Sequence, residues 1–95
     1  MLLRQVLCAD VDKEPAEAYL RQFVPLSIAA ATAPSSAPDR RHSTTYIVTE
    51  NDQALPAAAQ EQVAATADHV ERIPSSHTAT ISAPDELAVI LGRVR

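Results

Sequence analysis

Glycine is nearly absent: Gly92 is the only one in 95 residues. That rules out phosphate-cradling glycine loops, the dinucleotide fingerprint and the glycine-flanked nucleophile turn, all of which need glycines at fixed spacing. Tryptophan is missing, and the aromatic residues are Phe23, Tyr19 and Tyr46. Much of the 46% hydrophobic fraction is alanine. Alanine buries little area, so at ~25 cal/mol per Å² the core this chain can build by itself is thin. Cys8 has no cysteine partner, which excludes an intrachain disulfide and a cysteine-based zinc site. It reads as a buried or half-exposed bystander thiol in a reducing compartment. No apolar run approaches the ~20 residues that cross a bilayer. Met1, Leu2 and Leu3 are followed by Arg4 and Gln5, far too short a run for a signal-peptide core. A net charge of −4 leaves no electrostatic footprint for nucleic acid. The one local basic cluster, Arg40, Arg41 and His42, falls in a loop. These absences favour one soluble, cytoplasmic domain near the small end of what folds alone, with no nucleic-acid or membrane partner and no metal or cofactor.

What is present can be taken in chain order. Leu2, Leu3, Val6 and Leu7 have the spacing of a short helix. Asp12 suits an N-cap, with Glu14 in the first turn and Pro15 early enough to be tolerated. Ala16, Tyr19, Leu20 and Phe23 then form an apolar stripe on one helical face. Pro25 ends that helix or starts the next, and Leu26 to Thr32 reads as a short alanine-rich helix. The stretch from Ala33 to Thr44 holds two prolines and several small polar residues, so it reads as a loop. Thr45-Tyr46-Ile47-Val48-Thr49 is a continuous β-branched and aromatic run, the pattern of a strand covered on both faces in a parallel sheet. Glu50 to Gln53 form the turn after it, and Pro56 opens a helix running to about Ala67, with Gln60, Glu61 and Gln62 outward. Val70 to Ile73 is a second strand, and Pro74 to Thr78 a turn. Ser82 caps the last helix with Asp85 three residues on, in a capping-box-like arrangement. Leu87, Ile90, Leu91 and Val94 give that helix an apolar stripe. Strand, helix, strand, helix is the grammar of an α/β fold.

Ligands and catalytic groups of open α/β sheets gather beyond the carboxyl ends of the strands. Asp52 follows the first strand there and His77 follows the second. A crossover helix makes the strands parallel, so both turns open on the same edge. A carboxylate so placed accepts from one imidazole nitrogen and stabilises the imidazolium, and the other nitrogen is free to take a proton. Glu50 is a rival acid. Taken singly, Asp52 is ordinary turn chemistry after Asn51, His77 a surface histidine, His69 a structural or exposed strand opener and His42 a loop histidine. A zinc site built from the three histidines has no supporting spacing. The nucleophile is what fails to appear. Ser27, Ser35, Ser36, Ser43, Ser75, Ser76 and Ser82 have no glycine neighbours. Ser75 and Ser76 adjoin His77, but a serine in such a turn usually satisfies the backbone of the loop itself.

The run Y-I-V-T-E-N-D-Q-A-L-P-A-A-A-Q, followed by a short strand and S-S-H-T, resembles the C-terminal part of an α/β-hydrolase. It is most similar in feel to the esterase branch that also holds plant methylesterases and hydroxynitrile lyases. In that branch the acid lies a few residues before a helix-opening proline, as Asp52 lies before Pro56. The histidine sits in a small-residue turn before the last helix, as His77 does. The earlier run A-D-V-D-K-E-P-A-E-A-Y-L-R-Q-F-V-P-L-S-I-A-A similarly resembles the tail of that branch's helical cap. The resemblance covers most of this chain but only the closing part of a complete family member. It implies an α/β fold of two parallel strands with flanking helices: a cap-like helical segment over 1–32, a linker loop over 33–44 and a C-terminal βαβα part over 45–95. It implies Asp52 as triad acid, His77 as general base and a small-molecule ester as substrate. Members that act as hydroxynitrile lyases tend to carry lysine directly after the histidine; Thr78 stands there, which implies ester hydrolysis. The family's serine, in G-x-S-x-G, and its oxyanion loop belong upstream of Met1. The chain alone is then expected to be inactive and only marginally folded, or to pair with a complementary chain carrying the serine half or with a second copy. The rival expectation is a small non-catalytic α/β module, binding through its open sheet edge and alanine-rich faces, or a truncated inactive gene product.

Overall fold

Thr45–Thr49 (β1) and His69–Ile73 (β2) pair in parallel, with Thr45 opposite His69 and Thr49 opposite Ile73, in the computed structural model, which describes residues 2–36, 39 and 42–94. The helix between them, Ala57–Ala64 (α4 below), makes the crossover that parallel strands require. The chain is mixed α/β, with two parallel strands and six helices among the described residues. Before the sheet come α1 (Leu2–Leu7), α2 (Lys13–Leu20) and α3 (Ile28–Thr32); after it come α5 (Ala79–Ser82) and α6 (Pro84–Arg93). No helix among the described residues is long and apolar enough to cross a membrane. Arg40 and Arg41 of the basic cluster lie outside the described residues, and His42 is exposed.

The start of the sheet is tied by a side chain. The Asp68 carboxylate accepts from the Thr44 backbone N–H at 2.8 Å, and Thr44 returns its carbonyl to the N–H groups of Asp68 and His69. The two faces of β1 are covered less fully than its unbroken apolar run predicts. Val48 is buried and the other four residues are half-exposed. Among the described residues one edge is open as well. Peptide groups alternate sides along a strand; the Glu50 N–H bonds Ile73, so Thr45, Ile47 and Thr49 face away from β2.

Burial divides into two small clusters. Ile73, Ala83 and Ile90 bring together β2 and α6, with Ile47, Ala79 and Leu87 packed against them. Cys8, Val11 and Ala16 bring together α1 and α2, with Leu7, Tyr19 and Ile81 against them. The four-residue α5 serves both, giving Ala79 to one cluster and Ile81 to the other. Neither cluster contains a large buried aromatic ring, as the composition requires. The accessible surface is 7178 Å² for a 10.2 kDa chain, against about 5,300 Å² for a compact monomer of that mass. The radius of gyration is 15.0 Å, against about 12 Å for a compact domain of this length.

Several local expectations are corrected. α2 stops at Leu20, so Phe23 falls outside it, exposed, with its ring set edge-on against Tyr19 at 5.3 Å. Asp12 occupies the N-cap position without a side-chain bond to the first turn. Pro56 is the N-cap of α4 and not its first helical residue. Ser82 does not cap α6. It ends α5, Ala83 takes the cap position, and the Ser82 hydroxyl is spent on Asp10. Along α6 the stripe is partial: Ile90 is buried and Leu87 half-buried, but Leu91 and Val94 are exposed. Gln60 does not point outward; it is among the most deeply buried side chains of the chain.

Candidate active site

The two strands stay zipped past the end of the sheet. The Glu50 N–H donates to the Ile73 carbonyl at 3.0 Å, and the Asn51 N–H donates to the Ser75 carbonyl at 3.1 Å. The turn after β1 and the loop after β2 are therefore held side by side. This is how residues 25 apart in sequence come to share one site: Asp52 Oδ2 and His77 Nδ1 lie 2.9 Å apart. Asp52, and not its rival Glu50, is the acid that reaches the histidine.

Asp52 is placed by its own turn. Its Oδ1 accepts from the backbone N–H groups of Ala54 (2.7 Å) and Leu55 (2.9 Å), an Asx-turn arrangement. Its Oδ2 accepts from the Thr49 hydroxyl (2.8 Å) and faces His77. Burial by itself would raise the pKa of this carboxyl. The donors from Leu55, His77, Thr49 and Ala54 outweigh it and hold Asp52 below the ordinary carboxylate value. An ionised carboxylate only accepts, so Nδ1 of His77 carries a proton, and in the neutral imidazole Nε2 is left with the lone pair. The Asp52 side chain is 3% exposed and that of His77 is 43% exposed. A buried anion thus backs an imidazole that opens to solvent. Among the described residues nothing hydrogen-bonds Nε2. The pair can accept a proton at Nε2 and hold the resulting imidazolium beside a fixed negative charge.

Gln60 supports this arrangement from inside and was missed by reading the sequence. Its Oε1 accepts from the Thr49 N–H (2.9 Å), and its Nε2 donates to the carbonyls of Thr49 (2.9 Å) and Leu55 (2.8 Å). One side-chain amide thereby replaces a neighbouring strand at the open edge of β1 and pins both ends of the Asp52 turn. A signal was available. Ala57, Gln60, Ala64 and Ala67 follow helical spacing, so Gln60 shares its stripe with small residues that must face the strand.

The serines beside the histidine are both fully buried and committed to backbone oxygens. Ser75 donates to the Ser76 carbonyl at 2.7 Å, and Ser76 donates to the Leu7 carbonyl at 3.4 Å. Both satisfy the loop. His69 opens β2 and is exposed. A cleft of about 460 Å³ lies at the amino ends of the strands, lined by Thr45, His69 and the Glu71–Arg93 ion pair. It is at the opposite end of the sheet from His77. No three metal-ligating side chains gather among the described residues. Compared with protein-family models, with curated proteins and with solved structures, the chain matches none.

Proposed function

We propose that these residues are the acid-and-base-bearing C-terminal part of an α/β-hydrolase of the carboxylic-ester type, acting on a serine supplied by polypeptide outside the 95 residues. The observation that carries this reading is the Asp52–His77 pair, 2.9 Å apart, at the carboxyl edge of two parallel strands. Nε2 takes the serine proton as the hydroxyl oxygen attacks the ester carbonyl, and Asp52 stabilises the imidazolium so formed. The imidazolium then gives that proton to the departing alcohol. Water repeats the sequence on the acyl-enzyme and releases the acid. The open edge of β1 and the surplus surface support a docked serine-bearing segment.

A second reading, a non-catalytic binding module, is favoured by one specific feature. Val24, Leu26 and Ile28 are 82%, 75% and 80% exposed in a single short stretch. One experiment separates the two. The tagged chain is purified from cells that encode it, the co-purifying polypeptide is treated with a fluorophosphonate, and p-nitrophenyl acetate hydrolysis is measured with and without His77→Ala. The hydrolase reading expects a labelled serine in the associated segment and activity that falls to background in the variant. An associated polypeptide without a reactive serine, or activity indifferent to His77, would sink it in favour of the binding module. The 95 residues alone are expected to give no hydrolysis above the His77→Ala control.

A further inference from the structure

The loop that carries His77 is gripped from behind by residues 7 to 10, at the far end of the chain. Asp10 Oδ2 accepts from the Ser76 backbone N–H at 2.9 Å and from the Ser82 hydroxyl at 2.5 Å. The Leu7 carbonyl accepts from the Thr78 N–H (3.2 Å), the Thr78 hydroxyl (2.8 Å) and the Ser76 hydroxyl. Cys8 Sγ lies 3.3 Å from the Thr78 hydroxyl. Leu7 closes α1, so its carbonyl is one of the four that a helix end leaves without an internal partner. The residues immediately before and after His77 are thus both tied to the N-terminal segment. The imidazole alone is left to face Asp52.

We infer that Asp10 is a positioning residue for His77: by holding the Ser76 peptide and Ser82 on either side of the loop, it fixes the backbone from which the imidazole reaches Asp52. The grip depends on charge as well as shape. Asp10 is an exposed residue whose partial desolvation tends to raise its pKa, but the bonds from Ser76 and Ser82 prevail and hold it below the ordinary carboxylate value. Charge-assisted bonds of this kind are the strong ones. Apolar contact could not do the same work, because the loop at 75–78 consists of two serines, the histidine and a threonine. The geometry of the grip stands by itself; its catalytic consequence rests on the reading of His77 as a general base.

The test reads the imidazole directly, by long-range ¹H–¹⁵N spectra of His77 and by exchange of its Nδ1 proton, in chains whose circular dichroism matches the wild type. Asp52→Asn is expected to abolish the Nδ1–H tautomer preference. Asp10→Ala is expected to move the ring toward the mixed tautomers of free histidine and to speed Nδ1 proton exchange roughly tenfold, the scale of one charged hydrogen bond. Asp10→Asn keeps an acceptor for the Ser76 N–H but loses the charge, and should fall between. Ser82→Ala removes one of the two donors and gives a smaller shift in the same direction, which keeps the question answerable if Asp10→Ala fails to fold. A wild-type signal in Asp10→Asn and Ser82→Ala, with the signal lost in Asp52→Asn, overturns the positioning role and leaves the pair intact. A His77 signal unchanged in Asp52→Asn removes the pair itself, and with it the proposed function.

Discussion

α3 and α4 are both short helices rich in alanine, and the chain treats them differently. α3 (Ile28–Thr32) buries nothing. It is held by its own ends, with the Ser27 hydroxyl accepting from the Ala30 N–H and Thr32 donating back to the Ile28 carbonyl. α4 (Ala57–Ala64) lies against β1 and buries Gln60 and Ala64. Alanine area is too small to tell the two apart, and what separates them is one amide. Gln60 finds three backbone partners around Thr49 and Leu55, and α3 has no such anchor. In a chain this poor in large apolar side chains, buried polar bonds decide where the elements sit. The site is where those bonds converge.

Removing the anchor should produce the largest effect. Gln60→Ala leaves the Thr49 and Leu55 peptide groups without their partner and opens a small void. Unsatisfied buried groups cost about 1–3 kcal/mol each, so a loss of about 3 kcal/mol is expected. Urea unfolding followed by circular dichroism measures it. The Nδ1–H signal of His77 should weaken as well, because the Thr49–Asp52 turn loosens. A loss below about 1 kcal/mol would mean that α4 is placed by its alanines after all, and the contrast with α3 would need another cause.

Acid should come next. The folded pKa of Asp52 is lowered, with its donors overcoming the burial that raises it, and Asp10 is lowered in the same way. A depressed carboxyl contributes stability that is fully present above its unfolded value, about 3.9. That stability is lost as pH falls through the still lower folded value, because the unfolded state then binds the proton more readily. Stability is therefore expected to be flat near neutrality and to fall steeply below about pH 4. Asp52→Asn should lower stability at neutral pH by about 1–3 kcal/mol and flatten the acid limb, and Asp10→Asn should flatten it further. Unfolding midpoints from pH 7 downward check this, and an acid limb as steep in Asp52→Asn as in the wild type would locate the titration elsewhere.

How much of this was legible in the sequence follows the same division. The strands were: Thr45–Thr49 is a continuous β-branched and aromatic run, and Val70 to Ile73, a weaker signal with only Val70 and Ile73 β-branched, lies between turn residues. The closeness of Asp52 and His77 was, because the carboxyl ends of parallel strands open on one edge. The polar anchors were not. Gln60 reads as a solvent residue when helices are scored by hydrophobicity, Ser82 reads as a cap when only its local spacing is weighed, and Asp10 has nothing nearby to suggest a partner 66 residues away at Ser76. Local pattern finds elements, and long-range hydrogen bonds between residues of ordinary type leave no local pattern. The fold class was therefore readable and the support of the site was not.

The smallest effect belongs to the exposed side of the comparison. Replacing Val24, Leu26 and Ile28 together by serine removes apolar side chains that touch solvent, and surface changes away from caps and cores usually stay within about 0.5 kcal/mol. The urea midpoint of the isolated chain should hardly move. Association with a second polypeptide should suffer if that polypeptide covers this stretch, since exposed apolar side chains in one patch are what such contacts use. Sedimentation with the captured partner separates the outcomes. An unchanged midpoint with lost association assigns the stretch to the interface. An unchanged midpoint with retained association places the docking surface elsewhere, with the open edge of β1 next in line. A large fall in the midpoint would break the comparison from its other end: α3 and the residues leading into it would then be contributing to the fold through contacts their exposure does not suggest, and polar anchoring would no longer be what distinguishes α4.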